Sequence, residues 1–139
     1  MKKVLFICTK NSARSQMAEG LINHEFAGRI QAFSAGPEPS IVHPLAIETM
    51  KEIGLDISQQ RSKSLAEFQD QTFDLVVTLC DQAAEACPVF FGGKQRVHLG
   101  FPDPAAVEGS PEERRNAFRQ VRDQIRERLP EFLQKYLDF

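Results

Sequence analysis

The segment from Cys8 to Arg14 combines a nucleophile with the residue types of an anion-binding loop. Four apolar residues, 4–7, predict a buried strand before Cys8, and residues 15 to about 27 predict a helix. The loop between them can turn its backbone amides inward around an anion. These amides, the helix N-terminus and Arg14 favour a thiolate over a thiol at Cys8. The segment therefore predicts a cysteine nucleophile in a cradle for a tetrahedral oxyanion.

Every residue of this loop is a candidate for oxyanion binding, with Arg14 holding two oxygens at once. The predicted oxyanion-binding residues are Thr9, Lys10, Asn11, Ser12, Ala13, Arg14 and Ser15. Asn11 tolerates a left-handed backbone and is expected to hold the loop shape. Ser15 is expected to donate a hydrogen bond to the Cys8 sulfur. The alternative is a cysteine that only fills space in a buried strand, and the strand, loop and helix context disfavours it.

Asp103 lies between Pro102 and Pro104, which restrict the backbone. Composition alone favours a rigid surface turn at this position. When a thiolate displaces an oxygen from an oxyanion, however, the leaving oxygen needs a proton, and a carboxylic acid can supply it. We therefore expect Asp103 to be the catalytic acid opposite Cys8.

Two further cysteines, Cys80 and Cys87, are separated by a polar segment that is compatible with a helix. In a helix their sulfurs would lie roughly 10 Å apart, at about 1.5 Å of rise per residue, too far to bond directly. A disulfide would require this segment to unwind. The residues alone leave open whether the two cysteines are a redox pair or unrelated.

Composition limits the classes of partner. The chain has 139 residues, and we expect one domain over residues 1–139. With 17 Lys and Arg against 19 Asp and Glu, it lacks the charge of a nucleic-acid binder. No apolar run suits a signal peptide or a membrane span, so we expect a cytoplasmic protein without membrane contact. His24, His43 and His98 show no zinc-site spacing with the cysteines, and we expect neither a metal nor a cofactor.

Predicted strands and helices alternate along the chain. Strands are expected at 3–7, 31–35, 73–79 and 95–99, and helices at 15–27, 44–53, 64–68 and 110–137, the last kinked at Pro130. This alternation predicts an α/β fold with a parallel sheet, whose ligands bind beyond the carboxyl ends of the strands. Cys8, Cys80 and Asp103 all follow predicted strands, so we expect them at one edge of the sheet.

Several motifs together closely resemble the thioredoxin-coupled arsenate reductases, over essentially the whole chain. They are residues 8–20, Ser34-Ala35-Gly36, Asp56-Ile57-Ser58, residues 75–80, Cys87-Pro88 and residues 100–105. The resemblance implies the low-molecular-weight protein tyrosine phosphatase fold, a three-layer α/β/α sandwich with a four-stranded parallel sheet. We expect a monomer that binds arsenate, with phosphate or sulfate as competing anions.

The resemblance also implies a relay of three cysteines. Cys8 attacks arsenate while Asp103 assists departure of the oxygen. Cys80 then attacks the Cys8–arsenic adduct and releases arsenite, and Cys87 attacks Cys80. Thioredoxin reduces the resulting Cys80–Cys87 disulfide. The spare cysteines support this chemistry independently, because a two-electron reduction must leave two sulfurs oxidised.

Two other functions compete with this interpretation. A low-molecular-weight tyrosine phosphatase would need only Cys8, Arg14 and Asp103, acting through a phosphocysteine. Such phosphatases usually carry an aromatic residue after the Asp-Pro pair, where this chain has Ala105. A thiol sensor without catalysis is disfavoured by the acid at Asp103. Within the reductases, Cys87 favours thioredoxin over glutaredoxin or mycoredoxin.

Glu19, Ser34 and Lys63 have no spacing that indicates chemistry, and we expect them to be ordinary solvated or capping residues. Some members of the family bind potassium through residues that match Asn11, Glu19 and Ser34, together with a carboxylate where this chain has Lys63. A lysine in place of that acid argues against a cation site.

Overall fold

The computed structural model describes residues 1–81, 85, 90 and 92–138. Its strands are β1 (Lys2–Ile7), β2 (Ile30–Ala35), β3 (Leu75–Thr78) and β4 (Arg96–His98). Its α-helices are α1 (Arg14–Glu25), α2 (Pro44–Lys51) and α3 (Pro111–Gln134), and Leu65–Phe68 and Pro104–Ala106 form 3-10 helices. The predicted α/β class and element order are confirmed, and the helix expected at 64–68 is of the 3-10 type.

The four strands form one parallel sheet in the order β2-β1-β3-β4. The last residue of β1, Ile7, lies opposite Ala35 of β2 and Thr78 of β3. The carboxyl ends of the three strands therefore meet at one edge. In the sheet, β2 lies on one side of β1 and β3 lies on the other, so the strand order reverses at β1. Parallel sheets bind ligands beyond the carboxyl ends of the strands at such a reversal.

Alternate residues of β1 supply the two faces of the core, which is why this strand is an unbroken apolar run. Val4 and Phe6 pack with α1, α2 and α3 in the larger cluster. Leu5 and Ile7 pack in a second cluster on the opposite face. That face carries aromatic rings with centroids 5.6 to 6.1 Å apart, from Phe33, Phe68, Phe73 and Phe90.

Element boundaries differ from expectation where local geometry changes. β3 begins at Leu75 rather than at residue 73, because Phe73 forms only an isolated bridge with Gly93. Helix α2 ends at Lys51, before Gly54, whose φ of 82° suits glycine. Helix α3 contains Pro130 and ends at Gln134. The helix considered between Cys80 and Cys87 lies outside the described residues, apart from Cys80, Asp81 and Glu85, which are not helical.

In the part of the chain that the structure describes, no helix combines the length and the apolar character needed to cross a bilayer.

Arginines of α3 hold the end of α2 through a charge cluster. Arg119 donates to both carboxylate oxygens of Glu52, with the shortest bond at 2.7 Å, and Arg122 donates to the same carboxylate at 2.8 Å. These hydrogen bonds, those from Arg119 above all, lower the pKa of Glu52. Two helices of the larger cluster are thereby joined across their exposed rim.

We expect Glu52→Gln to destabilise the protein by about 1 kcal/mol, the upper range for a partly exposed ion pair. Because the folded state lowers the pKa of Glu52, its ion pairs contribute to the free energy of unfolding at pH values above its ordinary pKa of 4.5. This contribution is lost as pH falls through the lower pKa of the folded state. Urea unfolding of wild type and variant at several pH values measures the difference. Glu127→Gln, an exposed change on α3, is the control, and a difference that stays constant at acidic pH would contradict the prediction.

Candidate active site

Cys8 follows β1 directly and is buried, with 2% of its surface exposed. It lies in the wall of a cavity of about 580 Å³. The cavity is also lined by cradle residues and by side chains from three later segments, among them Arg14, His43, Glu85 and Asp103. The cavity therefore brings the predicted nucleophile, cation and acid together at the carboxyl edge of the sheet.

Asn11 organises the cradle from below. It is fully buried and adopts a φ of 48°, the left-handed conformation expected from the sequence. Its side-chain oxygen accepts hydrogen bonds from the Lys63 backbone and from Gln16, both at 2.8 Å. Its amide nitrogen donates to Ser15 Oγ at 2.7 Å. One side chain thus fixes the turn of the loop and the first turn of α1.

Ser15 Oγ lies 2.8 Å from Cys8 Sγ. Because this oxygen accepts a hydrogen bond from Asn11, its own hydrogen is available for the sulfur. A hydroxyl that donates to sulfur stabilises a thiolate and directs its lone pairs. The contact expected between Ser15 and Cys8 is therefore present in the structure.

Gly36 allows the cradle to pack against the end of β2. A Cβ at this position would lie 2.3 Å from the Cys8 carbonyl oxygen and 2.7 Å from that of Thr9. Both contacts are with backbone, which cannot swing aside. A side chain at residue 36 would push the loop away from the sheet edge, and this explains the glycine in the Ser34-Ala35-Gly36 turn.

Arg14 is a buried cation, 4% exposed, whose guanidinium faces the cavity. It donates to the Phe101 carbonyl oxygen at 3.2 Å and to the two carboxylate oxygens of Glu85 at 2.7 and 3.0 Å. Burial alone would lower the pKa of Arg14, but the Glu85 hydrogen bonds and the nearby charges of Cys8 and Asp103 raise it. The guanidinium is therefore a permanent positive charge beside the sulfur.

Asp103 lies at the mouth of the cavity. Its Oδ1 accepts a hydrogen bond from the Ala105 backbone at 3.0 Å, which caps the 3-10 helix Pro104–Ala106. Its Oδ2 lies 4.0 Å from Arg14 Nη2. The short helix thus aims one carboxylate oxygen toward the anion-binding side of the cavity.

Cys80 lies two residues beyond β3, which pairs with β1, and is completely buried. The Leu79 backbone donates to the Ile7 carbonyl oxygen at 2.8 Å and so extends the pairing beyond both strands. Cys80 is disulfide-bonded, whereas Cys8 is a free thiol. Cys87, the third predicted catalytic cysteine, lies outside the described residues.

Sequence reasoning missed Glu85 as a member of the site. It stands in the polar segment after Cys80, and nothing local indicates that its carboxylate reaches the cradle. Thr9 Oγ1 also donates to it, at 2.7 Å. Burial opposes its ionisation, but the hydrogen bonds from Arg14 and Thr9 lower the pKa of Glu85 below its ordinary value.

The expectation that Glu19, Ser34 and Lys63 are ordinary solvated or capping residues is wrong. All three are buried behind the cradle, where Ser34 donates to Glu19 Oε1 at 2.7 Å and Lys63 Nζ lies 3.3 Å from the same oxygen. Lys63 Nζ also donates to the Arg61 carbonyl oxygen at 2.8 Å. An ammonium group of the chain itself thus neutralises Glu19. Within the described residues, no group of three or more His, Cys, Asp or Glu could hold a metal ion.

The sequence model of the low molecular weight phosphotyrosine protein phosphatase family matches residues 3–138. The chain belongs to the low molecular weight phosphotyrosine protein phosphatase family. It is 48% identical to an arsenate reductase of Halalkalibacterium halodurans over 131 residues, 94% of each chain. Within the phosphatase family, its relatives therefore include arsenate reductases.

Solved structures of family members agree with the fold. An arsenate reductase in its phosphate-binding state superposes with a TM-score of 0.77 at 37% identity, covering 99% of this chain and all of that one. The Corynebacterium glutamicum thioredoxin-dependent arsenate reductase Cg_ArsC1' superposes with a TM-score of 0.66 at 27% identity, covering 97% of this chain and 63% of that one. The predicted four-stranded parallel sheet of the phosphatase fold is thus confirmed.

In this family member the buried Glu19–Lys63 pair supports the cradle, because the Lys63 backbone also holds Asn11. We expect Lys63→Met and Glu19→Gln each to destabilise the protein by about 3 kcal/mol, since each leaves a buried charge without its partner. The double variant should recover part of that loss. Urea unfolding of the three variants measures the coupling between the two side chains.

Lys135→Met, at an exposed position after α3, controls for loss of a lysine. If Lys63→Met is no more destabilising than Lys135→Met, the pair does not support the cradle.

Proposed function

We propose that this protein reduces arsenate to arsenite, with Cys8 as the nucleophile. One observation carries the proposal: a buried cysteine lies at the bottom of an arginine-containing cradle, next to the strand that delivers Cys80. The cradle suits a tetrahedral oxyanion, and the second sulfur suits a reaction that transfers two electrons. The similarity to arsenate reductases along the whole chain supports the same activity.

The chemistry begins with attack of the Cys8 thiolate on arsenic. Arg14 and the amides of residues 9–14 hold the oxyanion, and Ser15 directs the sulfur. Asp103 protonates the departing oxygen, which leaves as water. The Cys8–arsenic adduct still contains As(V), because no electron has yet been transferred.

Reduction occurs when Cys80 attacks the Cys8 sulfur of this adduct. The sulfur–arsenic bond breaks, its electron pair stays with arsenic, and arsenite leaves while a Cys8–Cys80 disulfide forms. Cys87 then attacks Cys80, which restores the Cys8 thiolate and forms the Cys80–Cys87 disulfide. Thioredoxin reduces that disulfide by thiol–disulfide exchange. The disulfide bond at Cys80 supports its place in this relay.

Strand pairing supports the exchange between Cys8 and Cys80. Because Ile7 lies opposite Thr78, Cys8 would face Leu79, and Cys80 stands one residue further. A strand spacing of about 4.8 Å and a rise of about 3.3 Å place the two Cα atoms about 6 Å apart. Disulfides span Cα separations of about 4.4 to 6.8 Å, so the backbone spacing at this edge of the sheet lies within the range that the proposed exchange requires.

The same geometry supports phosphatase activity as a second function. A phosphate ester could react at Cys8 through the same cradle and the same acid. Ala105 follows Pro104, however, and offers no aromatic ring for a phosphotyrosine side chain. We therefore propose weak phosphatase activity beside the reductase.

We further propose that the protein acts as a monomer in the cytoplasm with thioredoxin as electron donor. A reducing cytosol would regenerate the Cys80 and Cys87 thiols after each turnover.

The relay predicts a defined stop in turnover when Cys87 is removed. With arsenate, thioredoxin, thioredoxin reductase and NADPH, the wild-type protein should consume NADPH continuously. Cys87→Ala should release about one equivalent of arsenite per chain and then stop, because the Cys8–Cys80 disulfide has no internal thiol to resolve it. Full thioredoxin-linked turnover by Cys87→Ala would contradict the relay. Steady hydrolysis of an aryl phosphate without arsenate-dependent NADPH use would favour the phosphatase.

The acid role predicts that Asp103→Asn lowers kcat for arsenate by about 100-fold or more, the usual range for loss of a general acid. The KM should not rise, because an amide removes a negative charge near Arg14. Steady-state kinetics separate the two parameters, and phosphate binding to the variant shows that the cradle is intact. An unchanged kcat would remove Asp103 from the proposed mechanism.

A further inference from the structure

The carboxylate of Glu85 contacts the groups that the proposed function reserves for the oxyanion. Its two oxygens bind the two terminal nitrogens of Arg14 at 2.7 and 3.0 Å. One of them also accepts from Thr9 Oγ1 at 2.7 Å. Arg14 and Thr9 both belong to the cradle that begins at Cys8, and Glu85 lines the same cavity.

A carboxylate and an arsenate present similar faces to arginine. Each offers two oxygens that match the two parallel N–H bonds of a guanidinium. The terminal nitrogens that Glu85 engages are those through which Arg14 would bind an oxyanion in this way. Glu85 and an oxyanion therefore compete for Arg14.

The contact is strong enough to compete because it is shielded from water. The Arg14 and Glu85 side chains are 4% and 18% exposed, so solvent screens their attraction less than at an open surface. The carboxylate also keeps its charge, since the hydrogen bonds from Arg14 and Thr9 lower its pKa.

The position of Glu85 in the chain ties this contact to the redox segment. Glu85 stands five residues after Cys80 and two before Cys87. The Asp81 backbone donates to Glu85 Oε2 at 3.2 Å, so the carboxylate is also tied to the chain just beyond Cys80. Cys80 is disulfide-bonded in this structure, and the contact with Arg14 is therefore observed in an oxidised form of the segment.

We propose that Glu85 is an internal anion that closes the oxyanion site while Cys80 is in its disulfide, and that reduction of this disulfide releases it. The proposal rests on the proposed function for the identity of the site. In the oxidised protein Cys80 is not a free thiol, so it cannot reduce arsenate. Closure in that form keeps arsenate, phosphate and sulfate from occupying the cradle until a reductant has acted.

Phosphate titration tests the proposal, because phosphate is tetrahedral and is not reduced. Isothermal titration at fixed ionic strength would compare wild type, Glu85→Gln and Glu85→Ala, each with the disulfide formed or reduced by dithiothreitol. In the oxidised form both variants should bind phosphate about 10- to 100-fold more tightly than wild type, the range expected for lost bonds between charged groups. In the reduced form this gap should shrink to less than about threefold.

Glu127→Gln, which removes the same charge from an exposed position on α3, controls for net charge and should behave as wild type. Equal phosphate affinity of oxidised wild type and oxidised Glu85 variants would overturn the proposal. So would a gap of the same size in both redox forms, because Glu85 would then compete without any link to Cys80. The titration needs no turnover, so a failure of arsenate reduction in the NADPH assay would leave its result intact.

Discussion

The site depends on one buried cation that must always have an anion beside it. Arg14 is enclosed by the cradle, by the Phe101 carbonyl oxygen and by the cavity wall, and a guanidinium does not lose its proton in proteins. Removing its anion would leave a desolvated positive charge, which is costly. The cavity is therefore better described as a site in which anions replace one another than as an empty one. Glu85, Asp103 and an incoming oxyanion all interact with the same charge.

The parts of the site that are local in the chain could be predicted from the sequence. Cys8, Asn11, Arg14 and Ser15 lie within one strand–loop–helix connection, and their types and spacing fix which atoms can meet. The left-handed turn at Asn11 and the contact between Ser15 and Cys8 follow from the eight residues 8–15. The parallel sheet could be predicted as well, since apolar runs and helical segments alternate along the chain.

The parts that depend on distant contacts could not be predicted in the same way. Arg14 and Glu85 are 71 residues apart in sequence, and Glu19 and Lys63 are 44 apart. Glutamate and lysine are usually solvated, so composition favours the surface for all of these acids and bases. The strand order places Lys63 beside the end of β2 and Glu85 beside the cradle. Only this arrangement brings each side chain to its oppositely charged partner. Once the fold has buried these charged groups, each needs an oppositely charged partner, because an unpaired buried charge is costly.

In the proposed function, the difference between a hydrolase and a reductase on this fold lies in the segment that follows β3. The cradle after β1 and the proposed acid after β4 would serve either chemistry, because both begin with attack of a thiolate on a tetrahedral centre. In the proposed relay, the segment from Cys80 to Cys87 adds two sulfurs, which accept the oxidation that arsenate reduction demands. The same segment carries Glu85, whose carboxylate binds Arg14, the cation proposed to hold the oxyanion. Under the proposed relay and the proposed role of Glu85, electron supply and anion access depend on a single stretch of chain, and thiol–disulfide exchange at Cys80 changes both at once.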